Sequence, residues 1–407
     1  MFWPPLNTRP TKQILLFSKP PNRLGRNSLA RFCLALVLLA LLPAASLRAA
    51  IWTAEALPQY DQLFQRTNDW TGADGDFAVT LTNGLTLWLF SDTFVGAVRE
   101  GHRRETTMIH NSAAWQHGTD PVSASVEFFH GRSADGKPAA LIEPADGKGF
   151  FWLSDGAMVR GRLYLFLAGV ELTDDRSAFG FRQTGVSLGE VNNPLDPPNE
   201  WHVTQTAIPF AKFGGAERLF FGSAVLATDG CVYVYGTREQ DGRGGKSMIL
   251  ARVPDRSLAD FSAWEFRTRG GWTNQVAAAA NLCEGMAVEY SVSWLPALGR
   301  YVLICTENGL SEKIILRTAP KPWGPWSAAT VVYRCPEMAW GKQIFCYAAK
   351  AHPMLAARPD ELMVTYAANS FQFDQVINDA RLYWPRFVRL QLMEAVPEQP
   401  VKPENRH

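Results

Sequence analysis

Five β-hairpins of similar build recur along the chain, and their spacing constrains the fold more than any other feature. They run from Asp74 to Phe94, Phe150 to Leu167, Phe220 to Tyr235, Val288 to Ile304 and Tyr347 to Tyr366. Each is two apolar strands around a polar turn such as Asn83-Gly84, Asp229-Gly230 or Pro359-Asp360. The middle three continue into a further strand and then an edge strand carrying Trp201, Trp264 or Trp326, which stand 63 and 62 positions apart by subtraction. A four-stranded unit repeated at such a period predicts the blade of a β-propeller, because one open sheet of about twenty strands would not stay soluble. The expected fold is therefore all-β: a five-bladed β-propeller, four-stranded antiparallel blades around a central channel, in one domain over residues 51–395. The run Trp384 to Leu390 is expected to close the ring with or near the N-terminal segment. One short helix is expected near 54–66, where Leu57, Tyr60, Leu63 and Phe64 recur at helical spacing.

The first fifty residues differ in kind. Basic residues from Arg9 to Arg31 precede the apolar run Phe32 to Leu42, and Pro43-Ala44-Ala45-Ser46 supplies small residues for cleavage. This pattern predicts a signal peptide with a long n-region over 1–46, and hence a secreted or periplasmic protein with no membrane attachment after cleavage; Leu34 to Leu42 is short for a spanning helix, which makes a membrane anchor the minor alternative. The Pro- and charge-rich tail at 397–407 is expected to be disordered. A net charge of +1 with 19% charged residues gives no electrostatic case for nucleic acid. The mature region keeps Cys231, Cys283, Cys305, Cys335 and Cys346, an odd number, so at most two disulfides can form. Cys335 with Cys346 is the pair most easily closed, and buried free thiols are the alternative. No Cys/His spacing suggests zinc.

In a propeller the first strand of each blade lines the channel, and its leading end shares one rim with the end of the second strand. The first-strand starts supply Asp74, Asp155, Ser223, Glu284 and His352; the second-strand ends supply Asp92, Glu171, Glu239, Glu307 and Asn369. With the turn at Asn83-Gly84, antiparallel residues whose numbers sum to about 167 face one another, which brings Asp74 to Asp92. Two like charges placed together cost stability unless something uses them. The segment Met108 to Trp115 returns from the same end and is expected to bring Asn111 to the pair as a substrate-positioning residue. Glu284, among small apolar residues, is read either as a general acid with a raised pKa or as a structural partner of an arginine. His352 is read as a core histidine or as a ligand contact, and Asp155 as a site residue or a turn. Trp70, Trp152 and Trp340 are expected in rim loops, where flat rings stack on sugars.

Several of these residues carry a family resemblance. Trp70-x-x-Ala73-Asp74-Gly75, Asp92-Thr93 after an apolar strand, the Asn111 segment, Pro322-Trp323-Gly324-Pro325-Trp326, Ala351-His352-Pro353 and Pro385-Arg386-Phe387 resemble exported bacterial five-bladed propellers of unknown function. Those are related to arabinanases, β-xylosidases and fructan hydrolases, and to enzymes that cut D-arabinan. The resemblance spans roughly Trp70 to Leu392. It implies an opening aspartate as base, matched by Asp74, and a second aspartate that tunes pKa, matched by Asp155. It implies a glutamate acid in a later blade, for which Glu284 stands in the fourth hairpin and not the third, a departure that leaves the acid unassigned, or in the arabinan-cutting neighbours an Asp74–Asp92 pair.

The sequence thus points to an exported glycoside hydrolase acting on a furanoside- or pyranoside-containing poly- or oligosaccharide. Asp74, Asp92 and Glu284 are its catalytic candidates. Asn111, Asp155, Trp70, Trp152, His352, Glu307 and Asn369 are its substrate-binding candidates. Asp74 is the expected nucleophile or base and Asp92 its partner. No cofactor is required and no catalytic metal is expected, although the channel is a place for a structural Ca2+; the expected state is a monomer. The alternative is a carbohydrate-binding or scaffold propeller without chemistry.

Overall fold

The computed structural model describes residues 51–175 and 180–393. The expected signal peptide and the tail at 397–407 lie outside them. Strands dominate, as the alternating apolar pattern requires, and among the described residues they assemble into five antiparallel sheets of four or more strands and two smaller ones. Sheet one is Phe77–Thr80, Thr86–Phe90, Ser112–His117 and Ser125–Phe129. Sheet two is Phe150–Val159, Arg162–Leu172, Phe181–Val191 and Val203–Ala207. Sheet three begins Glu217–Thr228, Cys231–Gln240, Arg243–Pro254 and Glu265–Arg267, with Trp272–Thr273 and Glu284–Met286 added outside that core. Sheet four is Tyr290–Leu295, Arg300–Thr306, Lys313–Ala319 and Thr330–Arg334.

Sheet five is built from both ends of the described chain. Ile344–Ala351, Glu361–Ser370 and Pro385–Met393 are joined at the edge by Ile51–Ala56, whose partners run from Ile51 opposite Met393 to Ala56 opposite Val388. The expected helix is correspondingly shorter. Ala54 to Ala56 are strand, and the helix spans Pro58–Phe64, its start set by a proline whose fixed φ suits the first helical turn.

Each sheet buries one face against the next. Separate apolar clusters fill the gaps between sheets one and two, two and three, three and four, four and five, and finally five and one. The last is closed by Phe64, which stacks on Phe387 at 5.4 Å and meets Trp88 edge-on at 5.1 Å. The first strands of all five sheets surround a cavity of about 300 Å3, here called the throat. In three of them a bulge interrupts pairing with the second strand at an equivalent point: Leu153/Gly156, Phe221/Ala224 and Tyr347/Lys350. A bulge re-aims the residues it contains, and these leave Asp155 and Lys350 facing the throat.

The recurring tryptophans precede the outer strands they were expected to occupy. Trp201 Nε1 donates to Asp196 O at 3.1 Å, and Trp264 Nε1 to Leu258 O at 3.0 Å. In both sheets the indole locks the loop that leads into the edge strand.

Candidate active site at the mouth of the ring

The first hairpin does not stop at sheet one. Its register has Phe77 opposite Leu89 and Thr80 opposite Thr86, and Ala73 opposite Thr93, so each pair sums to 166. Beyond Ala73 and Thr93 the two strands separate from sheet one. With His102–Ile109 they form a three-stranded side sheet, Asn68–Ala73, Thr93–Arg99 and His102–Ile109. Arg103 fastens it to the segment before the last strand, donating to Thr71 O, Val376 O and Leu382 O at 3.0, 2.7 and 2.8 Å. The joint between the sheets consists of Asp74-Gly75-Asp76 on one strand and Ser91-Asp92 on the other. Gly75 has φ of +92°, and a Cβ there would lie 2.9 Å from Ser91 N, so the close approach of the two strands needs glycine.

That joint holds Asp74 and Asp92 side by side. Asp74 N–H donates to Asp92 O at 3.3 Å, and Ser91 N–H to Asp74 O at 2.9 Å. The two carboxyls nevertheless have unlike surroundings. Asp74 Oδ2 accepts from the Tyr347 hydroxyl at 2.6 Å, and Asn369 Nδ2 donates to that hydroxyl at 3.2 Å. Asp74 Oδ1 is sealed without a partner. Burial, then the negative charges of Asp92 and Glu289, push the Asp74 carboxyl well above the usual range, against the opposing Tyr347 bond. Asp92 instead takes two nitrogens on Oδ1, Trp152 Nε1 and His110 Nδ1, each at 2.9 Å. The His110 ring lies flat on Phe150 with centroids 3.5 Å apart.

Below the mouth lies a second set of charges. Lys350 is 1% exposed; its Nζ reaches Ala348 O at 2.8 Å and Glu289 at 3.3 Å, and sits 4.3 Å from the Phe77 ring centre. Asp155 accepts from the Gly156 and Val225 N–H groups at 2.8 and 2.7 Å. Asp76 is fully buried with neither carboxylate oxygen hydrogen-bonded. Burial raises both Asp76 and Asp155 to about 7, and Lys350 opposes both shifts. Among the described residues no group of three or more His, Cys, Asp and Glu side chains could hold a metal ion. Calcium wants six to eight oxygens, and a buried ammonium already occupies this end of the throat.

The structure therefore gathers Asp74, Asp92, Trp152 and Asn369 at the mouth, places Asp155 and His352 along the throat, and separates the others. Glu284 is exposed on a short strand beside Lys246 and Ser247, and its backbone carbonyl takes Arg317 Nη2 at 2.9 Å. Sheet four begins at Tyr290, so Glu289 is the acid that reaches the mouth. Asn111 is fully buried: Nδ2 donates to Ile142 O and Phe151 O, and Oδ1 accepts from Ile142 N–H, which leaves nothing for a substrate. Its neighbour His110 takes the position expected of it. Trp70 is 1% exposed and stacked on Phe128 at 4.3 Å, because its segment is a strand packed on sheet one and not an open loop. His352 is a core histidine at the far end of its strand, bonded to Thr365 and held neutral, its pKa lowered to about 3 by burial and then by Lys350. Glu307 is paired with Lys313 at 2.9 Å. Trp340 is 41% exposed and covered by Arg381 and Arg386. All five described cysteines are free, Cys335 and Cys346 within one core. Sequence reasoning missed Tyr347, Lys350, Asp76 and Glu289; a lysine inside the apolar run Phe345 to Ala351 was the available signal.

The fold is shared with solved structures. A Bacteroides ovatus protein provisionally described as a hydrolase superposes with a TM-score of 0.66 at 19% identity, covering 83% of this chain and 90% of that one. Weaker likenesses include a GH43_1 enzyme from Xanthomonas citri complexed with xylotriose, with a TM-score of 0.46, 14% identity, and 85% and 92% of the two chains. The catalytic domain of a GH62 alpha-L-arabinofuranosidase from Coprinopsis cinerea gives 0.46 at 12% identity over 81% and 99%. Comparison with curated proteins finds no match. The profile of a domain of unknown function, DUF5005, matches residues 58–393, almost all of the described chain, and the protein belongs to that family.

Proposed function

We propose that the five sheets are the blades of a five-bladed propeller, and that its mouth is the active site of an exported glycoside hydrolase. Its substrates are furanoside- or pyranoside-containing chains. The unequal carboxyl pair carries this reading. Glycosidic cleavage needs one carboxyl that keeps its proton for the leaving oxygen and one that serves as base or nucleophile, and environments that push two acids apart assign the roles. Burial and neighbouring negative charge favour the protonated form of Asp74, which suits it to the part of the acid. Asp92, bonded through Oδ1 to two ring nitrogens, is the base or nucleophile. These roles reverse those expected from sequence. Tyr347 and Asn369 orient Asp74, and Trp152 orients Asp92.

A second reading, a propeller that binds carbohydrate without cutting it, is favoured by one observation. Asp74 Oδ1 is closed to solvent, and neither the throat nor the cavity beside His110 is lined by Asp74 or Asp92. A panel of aryl furanosides and pyranosides with arabino- and xylo-oligosaccharides separates the two. Turnover by the wild type that disappears in both Asp74→Asn and Asp92→Asn supports hydrolysis. Sugar binding without turnover, equal in all three proteins, overturns it in favour of the binding module.

A further inference from the structure

A cavity of about 330 Å3 adjoins the mouth and shares His110 with it. Its walls are Met108 and His110 at the end of the side sheet, Pro138 in a two-stranded ribbon with Ala140 just beyond it, Glu143 from the next loop, and Phe150 at the start of sheet two. The volume is within the range of small-ligand pockets, roughly 300–1,000 Å3.

The walls are held in place before any ligand arrives. Asn111 clamps the loop at Ile142 from one side, with bonds of 2.8 Å in each direction. Gln205 clamps it from the other, accepting from Ala145 N–H at 3.0 Å and donating to Glu143 O at 2.8 Å. A Cβ on Gly131 would lie 2.1 Å from Ala140 O, and one on Gly149 would lie 2.1 Å from Val170 O, so both flanks press on their neighbours. A preformed pocket loses little ordering entropy on binding. Its lining suits a sugar: methionine, proline and alanine for the C–H faces of a ring, and His110 with Glu143 for hydroxyls. The Glu143 carboxylate, with Asp92 behind His110, disfavours a uronate and favours an uncharged residue.

We propose that this cavity is a second sugar subsite, holding the uncharged residue next to the one at Asp74 and Asp92, with His110 as the wall common to both. It rests on the carbohydrate reading of the mouth. It makes the protein's ligand a chain of at least two residues.

The test uses the protein carrying Asp74→Asn and measures calorimetric affinity for xylose and arabinose, then for their dimers and trimers. The expected result is at least tenfold tighter binding of the preferred trimer than of its monomer. Ala140→Trp, which fills the cavity, should remove that gain, and Glu143→Ala should cut it three- to tenfold. Melting curves accompany both variants; if Ala140→Trp unfolds, Glu143→Ala at an exposed position decides alone. A gain untouched by the decisive variant, or affinity that does not depend on length, overturns the subsite. Length-dependent binding lost in Ala140→Trp, with no turnover by the wild type, keeps the subsite and removes hydrolysis. Turnover without length dependence does the opposite, and absence of all binding removes both.

Discussion

The mouth and the throat both collect carboxyl groups, yet the ring treats them differently. In the throat, Asp155 is answered by two backbone N–H groups, and the Lys350 ammonium is answered by Glu289 on the side toward the mouth. At the mouth, Asp74 and Asp92 share a joint between two sheets, lack any lysine or arginine partner, and are only half-buried. Backbone amides and an ammonium answer the acids of the throat, whereas neutral side chains and a histidine hold those of the mouth, and Asp76 between the two sets has no partner.

The largest effects should divide along that line. Asp74→Asn and Asp92→Asn should each lower kcat/KM by about 10^3-fold or more, the scale of a lost general acid or base, with melting temperature nearly unchanged. Asp155→Asn should cost activity less than tenfold; an equal loss there would erase the distinction between the two regions. Lys350→Met should do the reverse, destabilising by about 3–5 kcal/mol in urea titration because it strands Glu289, with much of the loss recovered in Lys350→Met/Glu289→Gln.

Asp76 sharpens the comparison through pH. Its carboxyl ionises near 7 in the fold and at about 4 in the unfolded chain, so the folded state holds the proton more tightly. Its contribution to stability therefore falls as pH rises from about 4 to 7, and is level above. Asp76→Asn, whose side chain tolerates the local φ of +50°, should gain on the wild type by up to about 4 kcal/mol between pH 4 and pH 8. A gain that is the same at both pH values would mean that Asp76 titrates normally. The smallest effect is expected from Glu284→Gln: stability within about 0.5 kcal/mol and activity unchanged, since the side chain is exposed.

Much of the scaffold was legible because strand alternation and turn residues are local signals. The Asn83-Gly84 turn predicted a pairing sum of about 167 and the strands adopt 166, close enough to bring Asp74 to Asp92. The misses come from a link between strands and from strand starts. Asn111 and His110 form the two-residue link between His102–Ile109 and Ser112–His117, and there one side chain turns into the core and its neighbour toward Asp92. Glu284 gave way to Glu289 because the small residues before Tyr290 form turns and an edge strand, and do not begin sheet four. Trp70 was misplaced because the strands of the first hairpin run on past sheet one into the side sheet, which repeat spacing does not reveal.

Sheet five has a consequence for how the molecule comes into being. Its outer strand, Ile51–Ala56, is made before the other four sheets and its neighbour, Pro385–Met393, after them, so this seam can close only once all five have been synthesised. Until then the faces that will meet in the last seam stay uncovered, and such long-range pairing is slow to form. Deleting Ile51–Ala56 should thus loosen Pro385–Met393, and protease sensitivity near Leu390 after that deletion would reveal the linkage.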